Sequence, residues 1–169
     1  AKQEGVSVDQ IVVTNGSSPI LFGYADWITQ NGGKLVTSMA TYEGVPRGAE
    51  FMGADVTYVP LDANMDFDLD AIEAAVTEDT TAVYICNPNN PTGRELDPAK
   101  LNAFAKRVSQ KTQVFIDEAY IEMSAGYPGN VQSSLAAEGY NVVICRTFSK
   151  IHAMAGQRLG YAITPAEQA

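Results

Sequence analysis

Histidine and cysteine are scarce in this sequence: one His, His152, and two Cys, Cys86 and Cys145, among 169 residues. Without a Cys/His cluster at metal-ligand spacing, a zinc or iron site has no donor set to stand on. Each cysteine closes a short apolar run, where a thiol acts as a small hydrophobe, so both are expected to be reduced core residues. Basic charge is short as well. The 11 Lys and Arg are outnumbered by 20 Asp and Glu, and the formal charge of -9 disfavours nucleic acid and anionic membrane as partners. No apolar run approaches the ~20 residues that span a bilayer, and no secretory leader opens the sequence, so the expected location is cytoplasmic. Neither Gly-x-Gly-x-x-Gly nor Gly-x-x-x-x-Gly-Lys occurs, which removes two familiar nucleotide loops.

What is present is a core and a rhythm. At 46% apolar residues the chain can fill the interior of one domain of this length. Short β-rich runs recur at Ile11 to Thr14, Lys34 to Met39, Asp55 to Pro60, Thr81 to Cys86, from Gln113 up to Asp117, Val142 to Cys145 and Tyr161 to Thr164. Helical patterns fall between them. Ile20, Leu21, Tyr24, Ala25, Trp27 and Ile28 share one face; Asp68 precedes Leu69, Ile72 and Val76; Asp97-Pro98 is a cap and first-turn pair for Leu101, Phe104, Ala105 and Val108. Residues 1–10 read as polar and peripheral, 40–53 as a connector, and Pro128 to Gly139 as loop and short helix. Seven strands alternating with helices predict a doubly wound, mostly parallel seven-stranded α/β sheet with helices on both faces. No repeat or linker divides the chain, so residues 1–169 are taken as one domain.

In such sheets ligands gather where strands end, and several strand ends here carry chemistry. Lys150 follows the Val142 to Cys145 run, with Thr147, Ser149 and Arg158 nearby as two hydroxyls and a guanidinium suited to a phosphate. An amine beside a phosphate seat suggests a Schiff base to a phosphorylated aldehyde, although a solvated lysine after a strand has the same sequence. Asn15-Gly16-Ser17-Ser18 links the first strand to a helix whose N-terminus suits an anion; either serine serves equally as an ordinary cap. Tyr42 ends a strand, where its ring can stack on a flat heterocycle or simply fill core. Asn87-Pro88-Asn89-Asn90-Pro91-Thr92-Gly93 is a rigid turn that either holds the Asn90 amide against a ligand or only joins strand to helix. Asp117 directly follows a buried run, where a carboxylate is expensive unless it meets a cation or caps the next segment. Alternation puts Asp117 and Glu118 on opposite faces, so the two acids cannot serve one site.

These motifs together resemble the large domain of fold-type I, pyridoxal 5'-phosphate-dependent aminotransferases. Asn-Pro-Asn-Asn-Pro-Thr-Gly at 87–93, Asp-Glu-Ala-Tyr at 117–120, and Arg-Thr-Phe-Ser-Lys followed by Ala-Gly-Gln-Arg-Leu-Gly-Tyr at 146–161 are most similar to the histidinol-phosphate aminotransferase branch. The resemblance implies that Lys150 binds the cofactor as a Schiff base and then acts as the proton-transferring base. It implies that Asp117 pairs with the pyridinium nitrogen, that Asn90 and Tyr120 hydrogen-bond the ring's phenolic oxygen, and that Tyr42 stacks on the ring. The phosphate falls to the Ser17 and Ser18 amides, the Thr147 and Ser149 hydroxyls and Arg158. The implied reaction is ping-pong transfer of an amino group from an amino acid or amine, such as histidinol phosphate or an aromatic amino acid, to a 2-oxo acid such as 2-oxoglutarate. A homodimer is implied for the full-length enzyme.

The resemblance also implies a longer enzyme, with an N-terminal arm and a C-terminal small domain outside 1–169, so the chain reads as the cofactor-binding large domain, inactive by itself. Ala40 stands where the branch often has Pro, and His152 and Gln157 where apolar or small residues are frequent. Two other readings remain at this stage. One is a pyridoxal phosphate-dependent lyase or decarboxylase of the same fold; the other is a non-catalytic α/β domain binding a phosphate ligand.

Overall fold

A computed structural model describes residues 1–169. Its centre is one seven-stranded sheet: β1 (Ile11–Thr14), β2 (Lys34–Ser38), β3 (Asp55–Val59), β4 (Ala82–Cys86), β5 (Gln113–Asp117), β6 (Val142–Thr147) and β7 (Gly160–Ile163). Across the sheet the order is β1-β7-β6-β5-β4-β2-β3. Every pairing from β3 to β6 is parallel, whereas β7 runs antiparallel to both β6 and β1. The strand ends of β1, β2, β4, β5 and β6 therefore open on one edge.

Five helices cover the sheet: α1 (Ser18–Gln30), α2 (Gly44–Phe51), α3 (Leu69–Ala75), α4 (Pro98–Val108) and α5 (Ser133–Ala137). Helices α1 and α2 pack together on the face that carries Phe115, whose ring lies 4.5 Å from that of Tyr24. Helices α3, α4 and α5 cover the opposite face. The parallel strands β4 and β5 are buried along their whole length, as near-continuous apolar runs require between two helical layers. The expected caps form, with Asp68 accepting from the Ala71 N–H and Asp97 from the Lys100 N–H, each at 2.9 Å. No helix is long and apolar enough to cross a membrane.

Three sequence expectations need correction. The connector at 40–53 contains α2, whose Val45 and Ala49 are fully buried; two glycines and a proline hid a helix that tertiary packing supports. Strand β6 runs two residues past Cys145, and Arg146 is buried inside it at 1% exposure. Residues 1–10 are not all peripheral. The Glu4 carboxylate is enclosed, lies 3.3 Å from Arg146 Nη1, and accepts from the Tyr161 hydroxyl at 2.8 Å. Arg146 thus has two acids, since its Nε also donates to Glu118 Oε2 at 2.7 Å. A guanidinium can enter a sheet face only with such partners.

Candidate active site

The strand register decides which side chains share the sheet's open edge. Cys86, Asp117 and Cys145 are cross-strand partners in β4, β5 and β6, so they form one row on one face. Thr147 lies two residues on from Cys145, on that same face. Gly160, at the start of β7, pairs with both Thr147 and Thr14, which brings the turn after β1 beside the end of β6. A Cβ on Gly160 would stand 2.6 Å from Gly16 C and from Ser17 N, so the approach of β7 to this turn needs a glycine.

The result is a cavity of about 230 Å³ above the row, lined by Ser17, Ser18, Tyr42, Asp117, Tyr120, Thr147, Ser149, Lys150 and Arg158, with Leu21, Cys86, Ala119 and Ala155. Nine of the ten residues singled out from sequence converge here. The tenth, Asn90, lines an adjoining cavity of about 390 Å³ that shares Tyr120 as its wall. The other asparagines of that turn are occupied by its architecture. Asn87 accepts from the Leu96 N–H at 2.8 Å, and Asn89 donates to the Ala40 carbonyl and to Thr92 while accepting from Thr41. The Thr41 bond also anchors Tyr42, a residue 40% exposed whose ring leaves no room for a Cβ at Gly44. Ala40 has φ +51, a backbone angle that proline cannot reach.

One end of the cavity is built for an anion. Ser17 is the residue before α1 but makes no side-chain cap, so the capping alternative is not realised and the first-turn N–H groups have no intrahelical acceptor. Gly16, at φ +83, leaves the space that the Arg158 guanidinium fills; a Cβ there would collide with it. Arg158 is itself left-handed at φ +53 and is tethered by Nη1 donating to the Ala155 carbonyl at 3.0 Å. Thr147 is buried, and its hydroxyl oxygen accepts from the Ser149 N–H at 3.1 Å.

The other end presents a carboxylate. Asp117 is 3% exposed, forms no ion pair within the chain, and accepts from the Ala119 N–H at 3.1 Å and the Tyr84 hydroxyl at 3.0 Å. Burial pushes its carboxyl up to about 6, against the pull of those two bonds and of the Lys150 charge. Lys150 Nζ sits 5.0 Å from the centre of the Tyr120 ring. Sequence reasoning missed Tyr84. The available signal was a tyrosine inside a strand buried on both faces, where a phenol must find a partner, two residues from Cys86 and so on its face. Glu118 faces away from the cavity, as alternation requires. Burial pushes its carboxyl up while Arg146 pulls it down.

A lysine amine, an unpaired buried carboxylate and an anion seat in one cavity form a donor set that suits a phosphorylated pyridine aldehyde, since each polar end of such a molecule finds a complementary group. Relatives agree. The chain is 35% identical over 162 residues to the aromatic amino acid aminotransferase of Corynebacterium glutamicum, covering 96% of this chain and 48% of that protein. It is 36% identical over 168 residues to the histidinol-phosphate aminotransferase of Moorella thermoacetica, covering 99% and 43%. The chain thus spans about half the length of the curated relatives it matches. The solved histidinol-phosphate aminotransferase of Sinorhizobium meliloti, in complex with pyridoxal 5'-phosphate, superposes with a TM-score of 0.86 at 29% identity, covering 99% of this chain and 45% of that one. Aminotransferase class I and II is the family description that matches, over residues 3–169, and the chain belongs to that family.

Proposed function

We propose that residues 1–169 serve as the cofactor-binding large domain of a pyridoxal 5'-phosphate-dependent aminotransferase, a cytoplasmic homodimer of amino-acid biosynthesis. The observation that carries the reading is the meeting, in one cavity, of Lys150, Asp117 and the Ser17–Ser18, Thr147, Ser149 and Arg158 cradle. The relatives' names support amino-group transfer over the lyase and the non-catalytic readings. Pyridoxal phosphate, when bound, supplies the aldehyde that receives the amino group and a ring that draws electrons from the substrate carbon.

The chain's own residues supply the rest. The α1 N-terminal amides, the two hydroxyls and Arg158 hold the phosphate, with Arg158 as the charge-assisted, two-pronged donor. Asp117 keeps the ring nitrogen protonated. Its cost of burial, only partly relieved within the chain, is the reason to expect a cation there. Tyr42 would offer its exposed ring for stacking, and Tyr120, together with Asn90 from the adjoining cavity, would hydrogen-bond the ring's phenolic oxygen. Lys150 would hold the cofactor and, as a free amine, would serve as the base that moves the proton. The amino group would stay with the protein after the first product leaves, so ping-pong kinetics are expected, with a 2-oxo acid such as 2-oxoglutarate as acceptor. Histidinol phosphate and aromatic amino acids are the donors to assay, since relatives of both kinds match at similar identity.

The test is the absorbance spectrum of the full-length enzyme with pyridoxal phosphate, before and after borohydride, beside its Lys150→Ala variant. A reducible imine band in the unmodified protein that is missing from the variant, with the reduced adduct mapped to Lys150 by mass spectrometry, is the expected result. No uptake of the cofactor by either protein would sink the reading.

A further inference from the structure

Tyr84 lies behind the lining of the cavity and has no role in the proposed amino transfer, yet it makes the one long-range hydrogen bond to the Asp117 carboxylate. It sits in the middle of β4 with no solvent exposure. Its ring packs on Phe115 at 5.7 Å, and Phe115 packs in turn on Tyr24. Its backbone carbonyl accepts from the Thr37 hydroxyl at 2.8 Å, which ties this point of β4 to β2. An apolar residue would fill the same space without the cost of burying a phenol. The hydroxyl donates to Asp117 Oδ2 at 3.0 Å.

We propose that Tyr84 is a positioning residue for the amino-transfer reaction: its hydroxyl holds the Asp117 carboxylate ionised and fixed in the orientation in which it borders the cavity. The functional half of this inference rests on the pyridoxal phosphate reading. The groups facing the carboxylate leave the task to few others. Cys86 and Cys145 flank Asp117 in register, and thiols are weak donors; burial and the carboxylate's own charge push both thiols up, so they stay protonated and uncharged. Lys150 acts through its charge from across the cavity and becomes engaged with the cofactor. The Ala119 N–H holds Oδ1, two residues along the same chain. Only Tyr84 holds Oδ2, and it does so from a neighbouring strand, which fixes the plane of the carboxylate relative to the sheet.

Tyr84→Phe removes one oxygen and keeps the ring packing. In cofactor-free protein, the Asp117 carboxyl is followed by carbon-13 NMR and identified by its absence in Asp117→Asn. Its midpoint is expected to move up by roughly one pH unit in Tyr84→Phe, the size of a hydrogen bond to a charged group. In the loaded full-length enzyme, kcat falls roughly two-fold at pH 7 and roughly five-fold at pH 6, with little change in the KM for the amino donor, and raising the pH above 7 recovers the loss. A general packing defect would lower activity equally at all pH values. An unmoved midpoint, or a loss that pH does not recover, overturns the proposal. If the variant fails to fold, unmodified protein made with 3-fluorotyrosine replaces it. The stronger phenol donor must then move the midpoint down, and no movement again overturns the proposal. Failure of the unmodified protein to take up pyridoxal phosphate would remove the functional half, while the titration still decides the Tyr84–Asp117 bond on its own.

Discussion

Asp117 carries two opposed roles, and its titration separates them. In the folded, cofactor-free protein its carboxyl is pushed up to about 6, while in the unfolded chain it titrates near ~4. Between those values the folded state binds more protons, so this group's contribution is fully present below ~4 and is lost as pH rises through 6, about 3 kcal/mol in all. Asp117→Asn is expected to flatten that part of the stability curve, making the variant at least as stable as the parent at pH 7 in urea unfolding. In the full-length enzyme the same change is expected to lower the transaminase rate at least ~100-fold, because under the proposed function a neutral amide would not hold the ring nitrogen's charge. A variant that lost stability and activity together would point to a packing role instead. Asp117 and Lys150 were legible in the sequence because a carboxylate closing a buried run and an amine beside donors are chemically conspicuous. Tyr84 was not, since its meaning depends on which residue of β5 lies diagonally opposite, and register is invisible to composition.

Elements, not single residues, hold the cavity's walls. The site residues Asp117 and Thr147 each adjoin a member of the buried pair Glu118–Arg146 on the other face, which joins the ends of β5 and β6, and Glu4 extends the pair to the N-terminal segment. Arg146→Met strands two carboxylates in the interior and is expected to cost about 3–5 kcal/mol in chemical denaturation, with earlier protease cleavage within residues 1–10. Adding Glu118→Met should restore part of that loss, since an apolar replacement of a whole buried pair is far cheaper than breaking it. On the opposite wall, Gly160→Ala forces β7 away from the Gly16–Ser17 peptide. Titration with pyridoxal phosphate should register this as at least ~10-fold weaker binding, from a displaced anion turn. Strands and capped helices were readable because burial on two faces and Asp caps leave local marks. Helix α2 and the burial of Arg146 left none: a segment with two glycines and a proline is helical because packing against α1 and the sheet buries its apolar face, Val45 and Ala49 fully, and a cation reads as a strand's end until its acids are found.

At the scale of the whole molecule, the cavity exists because the sheet order gathers what the sequence scatters. Ser17 and Arg158 lie 141 positions apart, yet they meet because β7 inserts antiparallel between β1 and β6. Alternating strands and helices announce a parallel sheet, but nothing local encodes that insertion or the placement of β2 between β3 and β4. A ligand that touches segments from β1, β2, β5, β6 and the start of β7 must therefore stabilise the sheet as a unit. Pyridoxal phosphate at ~100 times its dissociation constant adds about 2.7 kcal/mol, or roughly 5–10 °C in melting temperature for a chain of this size. Inorganic phosphate engages the anion turn alone, so it should give a smaller shift that is unaffected by Lys150→Ala. Pyridoxal without its phosphate engages the opposite end, and its shift should vanish in that variant. Equal shifts from phosphate and pyridoxal phosphate would mean that only the anion seat binds, and that Asp117 and Lys150 take no part in holding the cofactor.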